Sequence, residues 1–238
     1  MSILSELQTK KLGLLELISL GFNLYIKKNR LFLGLFLIYL PFSIILTVLS
    51  NYLLSYRDKL YFWGLIPIVS ISYIFANSIY SATICIFTES SVLQEDIQPK
   101  AVVKWILSRI LPLIGLEIRF FITFYLLSCL LVIPGIIYFI NNDLYFHAFI
   151  LRGQRGKAAF LYSRTLVKGN WWKAFFLMLL TYLIVWGLQA IFYKIFNITV
   201  ANSSILITLI SSALIQLIFL GFGICKVLFF LNLEFQKQ

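Results

Sequence analysis

Five stretches of the chain, 31–56, 60–88, 120–142, 174–193 and 195–225, contain no Asp, Glu, Lys or Arg. A bilayer core about 30 Å thick is crossed by about 20 apolar residues in a helix, so each stretch can hold a span. With 61% of its 238 residues hydrophobic and 12% charged, the chain is far more apolar than a soluble domain, where the apolar share is roughly 45–50%. The expected fold is all-α: a polytopic membrane protein of about six transmembrane helices with amphipathic interfacial helices.

The formal charge is +11, from 20 Lys and Arg against 9 Asp and Glu. In a soluble protein that balance would raise nucleic acid as a partner. Here the basic residues sit mainly at 10–30, 100–109 and 152–173, each beside a hydrophobic segment. Positive-inside bias and attraction to anionic headgroups produce that pattern, so the expected partner is the lipid bilayer, with no nucleic acid. Cys85, Cys129 and Cys225 fall inside hydrophobic segments without paired or metal-like spacing and read as small packing residues. The first hydrophobic segment begins at Leu31, runs long and ends in Ser55-Tyr56-Arg57, so it reads as a span rather than a secretory leader.

Residues 12–28 carry Leu14, Ile18, Phe22 and Ile26 at helical spacing with Glu16 near the middle, the pattern of an interfacial helix. Spans follow at about 31–55, with Pro41, and 60–88, with Pro67, joined by a turn at Arg57-Asp58-Lys59. A surface helix is expected over 97–108, where Asp96 can cap, Pro99 suits a first turn, and Lys100 and Lys104 share a face. The third span is expected at 110–133, closed by a hairpin turn at Pro134-Gly135, and a short fourth at 136–151. A third amphipathic helix, 155–168, places Lys157, Arg164 and Lys168 on one face and stops at Gly169. Trp171 and Trp172 suit the headgroup level before the fifth span at 172–196. The sixth is expected at 203–231. Surface helix followed by hairpin thus occurs three times. An ancient triplication and the ordinary need of each hairpin for a basic lead-in explain this rhythm equally well.

Charge decides whether 136–151 crosses. If it does, 16 Lys and Arg lie on one side, only Arg57, Lys59 and Lys194 lie on the other, and Arg119 is inside. If it does not, the six basic residues of 152–173 join the opposite side. Six spans with both termini cytoplasmic satisfy the bias, and the chain is expected to be a multi-pass protein of a cytoplasmic (inner) membrane.

Catalysis has little to work with. His147 is the one histidine, no second ligand stands at metal spacing, Ser128 and Ser163 lack the setting of a nucleophile, and no phosphate-binding fingerprint occurs. The expectation is a non-enzyme without metal or cofactor. Polar residues do gather in the third and fourth spans: Glu117, Arg119, Asn141, Asn142, Asp143, His147 and Arg152. Ionisable groups at membrane depth are costly and face protein interior or a wet cavity. Depths counted from Pro134-Gly135 at about 1.5 Å per residue match Glu117 with Arg152 and bring Arg119 toward His147, a clamp that would hold a short hairpin together.

The run Leu131–Leu180, LVIPGIIYFINNDLYFHAFILRGQRGKAAFLYSRTLVKGNWWKAFFLMLL, combines Ile133-Pro134-Gly135, a polar returning helix, Ala158-Ala159 with Ser163 and Leu166, then Gly169 and Trp172. In these features, and in LGLLELISLGFNLYIKKNRLFLGLFLIYLP near the start, the chain resembles the membrane domain of bacterial glycerophosphodiester phosphodiesterases and the stand-alone YciC-like inner-membrane proteins. The soluble phosphodiesterase barrel and its acidic metal ligands are missing, so the resemblance implies a six-helix membrane module without that activity. Asn141-Asn142-Asp143 stand where those relatives tend to carry a basic residue.

Two functions follow from this reading. One is a module that scaffolds a membrane protein partner or engages anionic lipid through Lys157, Arg164 and Lys168. The other is a transporter or pore element that moves a small solute or ion past the polar cluster. Transport needs polar residues through several spans, and the first, second, fifth and sixth offer little beyond Ser, Thr and Asn.

Overall fold

The computed structural model describes residues 3–54, 60–195 and 205–237. Ten helices follow one another: α1 Ile3–Thr9, α2 Leu14–Lys27, α3 Asn29–Leu54, α4 Leu60–Leu93, α5 Pro99–Leu130, α6 Val132–Asn142, α7 Tyr145–Arg152, α8 Lys157–Val167, α9 Trp171–Ile195 and α10 Ile205–Phe235. No strand occurs among the described residues. Five helices, α3, α4, α5, α9 and α10, are long and apolar enough to cross a membrane, and the chain is a polytopic membrane protein.

The passages of the chain are fixed by its side-chain contacts. Ser43 of α3 meets Gln216 of α10, and Tyr39 of α3 stacks on Tyr80 of α4, ring centroids 4.2 Å apart. Arg152, at the end of α7, meets Glu89 near the end of α4 and Glu234 near the end of α10. The α6–α7 pair therefore returns the chain along α5 to the end of the bundle where α4 and α10 finish. Among the described residues the five long helices run through the bundle singly, and the α6–α7 pair runs beside them as a broken one.

The sequence expectation of a separate surface helix over 97–108 is corrected. α5 is continuous from Pro99 to Leu130, with Gln98 as its N-cap and Pro99 in its first turn. The basic residues Lys100, Lys104 and Arg109 decorate the first turns of the same helix that carries no charge from Phe120 onward. A helix that leaves the bilayer has no need to stop there.

The hairpin turn is likewise not at Pro134-Gly135. Leu131, extended at φ −157° and ψ 137°, makes the turn. Pro134 sits in the first turn of α6, where a missing N–H costs nothing. Gly135 serves packing: a Cβ there would meet Ser128 Oγ and approach Ser128 Cα to 3.1 Å, so only glycine lets α6 lie this close to α5. The expected fourth span, 136–151, is two helices broken at Asp143-Leu144.

A further short helix, α1, precedes the expected interfacial helix. Asn232 of α10 anchors the turn that follows it: its Nδ2 donates to the carbonyls of Leu7 and Lys10, each at 2.9 Å, and its Oδ1 accepts from Leu12 N–H at 3.2 Å. Helix α2 then packs on α10 through Leu17, Gly21 and Leu24, while Ile26, expected on its apolar face, is exposed. Gly21 faces Cys225, whose Cα would stand 3.1 Å from a Cβ at that position. Glu16, Ser19, Asn23 and Lys27 share one face of α2, and the apolar arc opposite them is too wide to disclose which part of it meets protein. Hydrogen bonds from Lys10 and from the Gly13 N–H, the latter at 2.7 Å, hold the Glu16 carboxyl below the usual carboxylate range.

Of the cysteines, Cys85 and Cys225 are buried as expected and Cys129 is exposed. The expected turn at 57–59 lies outside the described residues.

Candidate functional site

The strongest concentration of charge lies at the end of the bundle where α4, α7 and α10 meet. Arg152 spreads its guanidinium between two carboxylates. Its Nε donates to Glu234 Oε1 at 2.6 Å, its second arm to Glu234 Oε2, and its third to Glu89 Oε1 at 2.6 Å. The fork on Glu234 is bidentate, the geometry in which guanidinium binds carboxylate best. Tyr162 of α8 donates its hydroxyl to Glu234 as well. Burial, then that hydrogen bond, push the Tyr162 phenol up to about 12. Phe230 lies under the guanidinium at 5.8 Å and stacks on His147 with centroids 5.7 Å apart. His147 is buried, and its Nδ1 has no protein partner among the described residues.

The depth matching expected from the sequence is overturned here. Glu117 does not meet Arg152, and Arg119 does not reach His147. Arg119 instead stands over the Phe160 ring at 5.7 Å. Glu117 faces Ser78 of α4, whose Oγ lies 2.8 and 2.9 Å from the two carboxyl oxygens and 2.8 Å from the Ile74 carbonyl. A hydroxyl has one proton to give and cannot satisfy all three acceptors. A carboxyl that keeps its own proton donates to Ser78, which then serves Ile74. Glu117→Gln, which preserves a donor and an acceptor, is therefore expected to keep the thermal unfolding midpoint in detergent, whereas Glu117→Ala loses about 1 kcal/mol. A Gln variant as weak as the Ala variant would show that ionised carboxylate is required.

Asp143 pairs with Lys226 of α10, Nζ to Oδ1 at 2.7 Å. Lys226, one of the 16 basic residues that the charge balance assigns to one side, sits within α10 at the level of the break between α6 and α7. The break between α6 and α7 is closed by Ser163 of α8. Its hydroxyl donates to the Asn141 carbonyl at 2.9 Å and accepts from the Leu144 N–H at 3.1 Å. Asn142 donates to the Tyr138 carbonyl at 2.7 Å and accepts from Arg164 Nε at 2.9 Å. The polar residues of the fourth passage are thus drawn together with α8 and α10, while Glu117 and Arg119 stand apart from them. Glu89, Glu234 and Lys226 were missed because each lies toward the end of a long apolar helix and reads as its exit from the bilayer.

Helix α8 turns Ala159, Phe160, Ser163, Leu166 and Val167 inward and leaves Lys157, Arg164 and Lys168 exposed, as the sequence predicts. Gly169 ends the helix at φ 84°. Lys168 and Lys11 stand near Lys237, and burial together with these two cations holds the Lys237 ammonium below its usual range. Lys11 also borders a cavity of about 280 Å³ with Trp171 and Trp172. Among the described residues, no group of three or more His, Cys, Asp and Glu could hold a metal ion. No family model, curated protein or solved structure matches the chain.

Proposed function

We propose that the chain is a non-enzymatic module of a bacterial inner membrane that engages anionic lipid, or holds a partner protein, through the surface around α8. The observation that carries this reading is the gathering of Lys11, Lys168 and Lys173 from separate parts of the chain: Lys11 and Lys173 line one cavity, which Gly169, next to Lys168, also lines. None of the three is paired with a carboxylate among the described residues, and Trp171 and Trp172 line the same cavity. Unpaired cations beside indole rings at the end of a membrane bundle match an anionic headgroup layer. The sequence resemblance to the membrane domain of glycerophosphodiester phosphodiesterases belongs to the same proposal.

Transport past the polar cluster has less support. Arg152, Lys226 and Glu117 each have a protein partner on a neighbouring helix, an arrangement that joins helices rather than lines a path. Each Lys or Arg near an anionic leaflet contributes on the order of 1 kcal/mol. Reversing Lys157, Arg164 and Lys168 to Glu is therefore expected to abolish the stabilisation that short-chain phosphatidylglycerol gives the purified protein at low salt. The measurement is the unfolding midpoint with and without that lipid. A triple variant that responds to phosphatidylglycerol as the natural chain does would remove the recognition role of this face.

A further inference from the structure

A second cavity, of about 500 Å³, opens on the other side of the same end of the bundle, between α2, the start of α3 and the end of α4. Leu24, Leu31 and Phe87 form part of its apolar wall. Lys27 and Lys28 border it from α2 and the turn that follows, and Glu95 and Asp96 border it from the loop after α4. These four side chains are exposed, and among the described residues none of them forms an ion pair. Two cations and two anions thus flank one cavity without neutralising each other across it.

The rim carries a second, independent sign. Gln94 has φ 61° and is the one non-glycine residue with positive φ among the described residues. It occupies the left-handed position that closes α4, where the Glu95 N–H bonds the Ser90 carbonyl at 2.9 Å. Glycine is the residue that takes this position without strain, and the chain places glycine at its other left-handed positions, 153, 156 and 169. Position 94 carries a side chain despite the strain, and that side chain lines the cavity. Strain held at a cavity rim is a recognised mark of a ligand clamp.

We propose that this cavity binds the phosphoethanolamine headgroup of a phospholipid. Lys27 and Lys28 take the phosphate, Glu95 and Asp96 take the ammonium, and the Gln94 amide, which both donates and accepts, closes the rim between them. A primary ammonium fits better than a quaternary one: carboxylates accept its N–H bonds, whereas quaternary ammonium is held by a cage of aromatic faces, and Phe87 is the one aromatic side chain on the lining. A lipid fits better than a free phosphoamine because Leu31 and Phe87 belong to helices that enter the membrane, so the apolar wall continues toward the acyl region. This site is distinct from the cationic surface around α8 and selects a zwitterion.

The test titrates the full-length protein in detergent with dioctanoyl phosphatidylethanolamine, phosphatidylcholine and phosphatidylglycerol, and with free phosphoethanolamine, by isothermal calorimetry. The natural chain is expected to bind the ethanolamine lipid more tightly than the choline lipid and far more tightly than free phosphoethanolamine. Glu95→Gln with Asp96→Asn is expected to weaken the ethanolamine lipid about tenfold, the worth of a charge-assisted hydrogen bond, and to leave phosphatidylglycerol unchanged. The Glu reversal of Lys157, Arg164 and Lys168 is expected to do the converse, so failure of this site and failure of the α8 surface give different results. Gln94→Gly is expected to raise the unfolding midpoint in the absence of lipid while weakening ethanolamine lipid binding, which separates the clamp from the fold. Lipid selectivity that survives the Glu95, Asp96 double variant, or equal binding of free phosphoethanolamine, would overturn the proposal. Should the double variant fail to fold, Lys27→Gln with Lys28→Gln decides: unchanged affinity for the ethanolamine lipid overturns it as well.

Discussion

Arg152→Met is expected to be among the most damaging single substitutions in this protein, at about 3 kcal/mol, the lower end of the cost of removing one partner from a buried ion pair, because the Arg152 side chain is partly exposed. The reason lies in what the substitution leaves behind. Glu89 and Glu234 both point at the guanidinium, and the Glu234 side chain is only 6% exposed. Without Arg152 two carboxylates face each other between α4 and α10 with no counter-charge, and Tyr162 has one hydroxyl proton to offer. Methionine keeps the volume of the stem, so the loss reports charge rather than a cavity. Arg152→Lys should recover a part only, because an ammonium cannot make the bidentate fork on Glu234 while also reaching Glu89. Combining Arg152→Met with Glu89→Gln and Glu234→Gln removes the uncompensated charge and should restore most of the stability. Chemical or thermal unfolding in detergent checks the series. A triple variant no more stable than Arg152→Met would mean that the cluster is not held by charge pairing.

How far the sequence discloses this arrangement depends on which physical signal each part leaves. The charge-free stretches mark α3, α4, α9 and α10, because a bilayer excludes charge over a length that any span must exceed. The same signal misplaces the start of α5. Lys100, Lys104 and Arg109 show where the chain is in contact with water or headgroups, and the helix continues through that boundary unbroken. The inward and outward faces of α8 are legible because Lys157, Arg164 and Lys168 recur at helical spacing against Ala159, Ser163 and Leu166. The partner of Ser163 is not legible: the hydroxyl closes a break 19 to 22 residues earlier in the chain, and no local pattern reports that. The depth argument fails for a related reason. Distance along a helix from a turn gives height and says nothing of the direction a side chain faces, and the turn itself is at Leu131 rather than at Pro134-Gly135. Height alone matched Glu117 with Arg152. Rotation about the helix axis sends Glu117 to Ser78 and leaves Arg152 to two acids outside the hairpin.

The Asp143–Lys226 pair is expected to show the second large effect, with a signature that separates pairing from burial. Lys226 lies eight residues before Glu234 on α10, about 12 Å further from that end of the bundle at the helical rise. Its ammonium donates to Asp143 at 2.7 Å, where α6 gives way to α7. The pair therefore pins the broken passage to the helix that runs through the middle of the bundle. Lys226→Met leaves Asp143 without its cation, and Asp143→Asn leaves Lys226 without its anion. Each is expected to cost about 3 kcal/mol or more, since a desolvated charge is stranded in either case. The double variant strands neither and is expected to lose less than the sum of the two single losses. The difference, a coupling of about 0.5–3 kcal/mol, is the quantity that unfolding of the four proteins in one detergent would measure. Exchange of the two residues, Asp143→Lys with Lys226→Asp, should recover less than the neutral pair, because a lysine at position 143 is too long for the place an aspartate fills beside Asn142. Additive losses in the double variant would show that the two side chains act independently and that the broken passage is held by α8 alone, through Ser163 and Arg164.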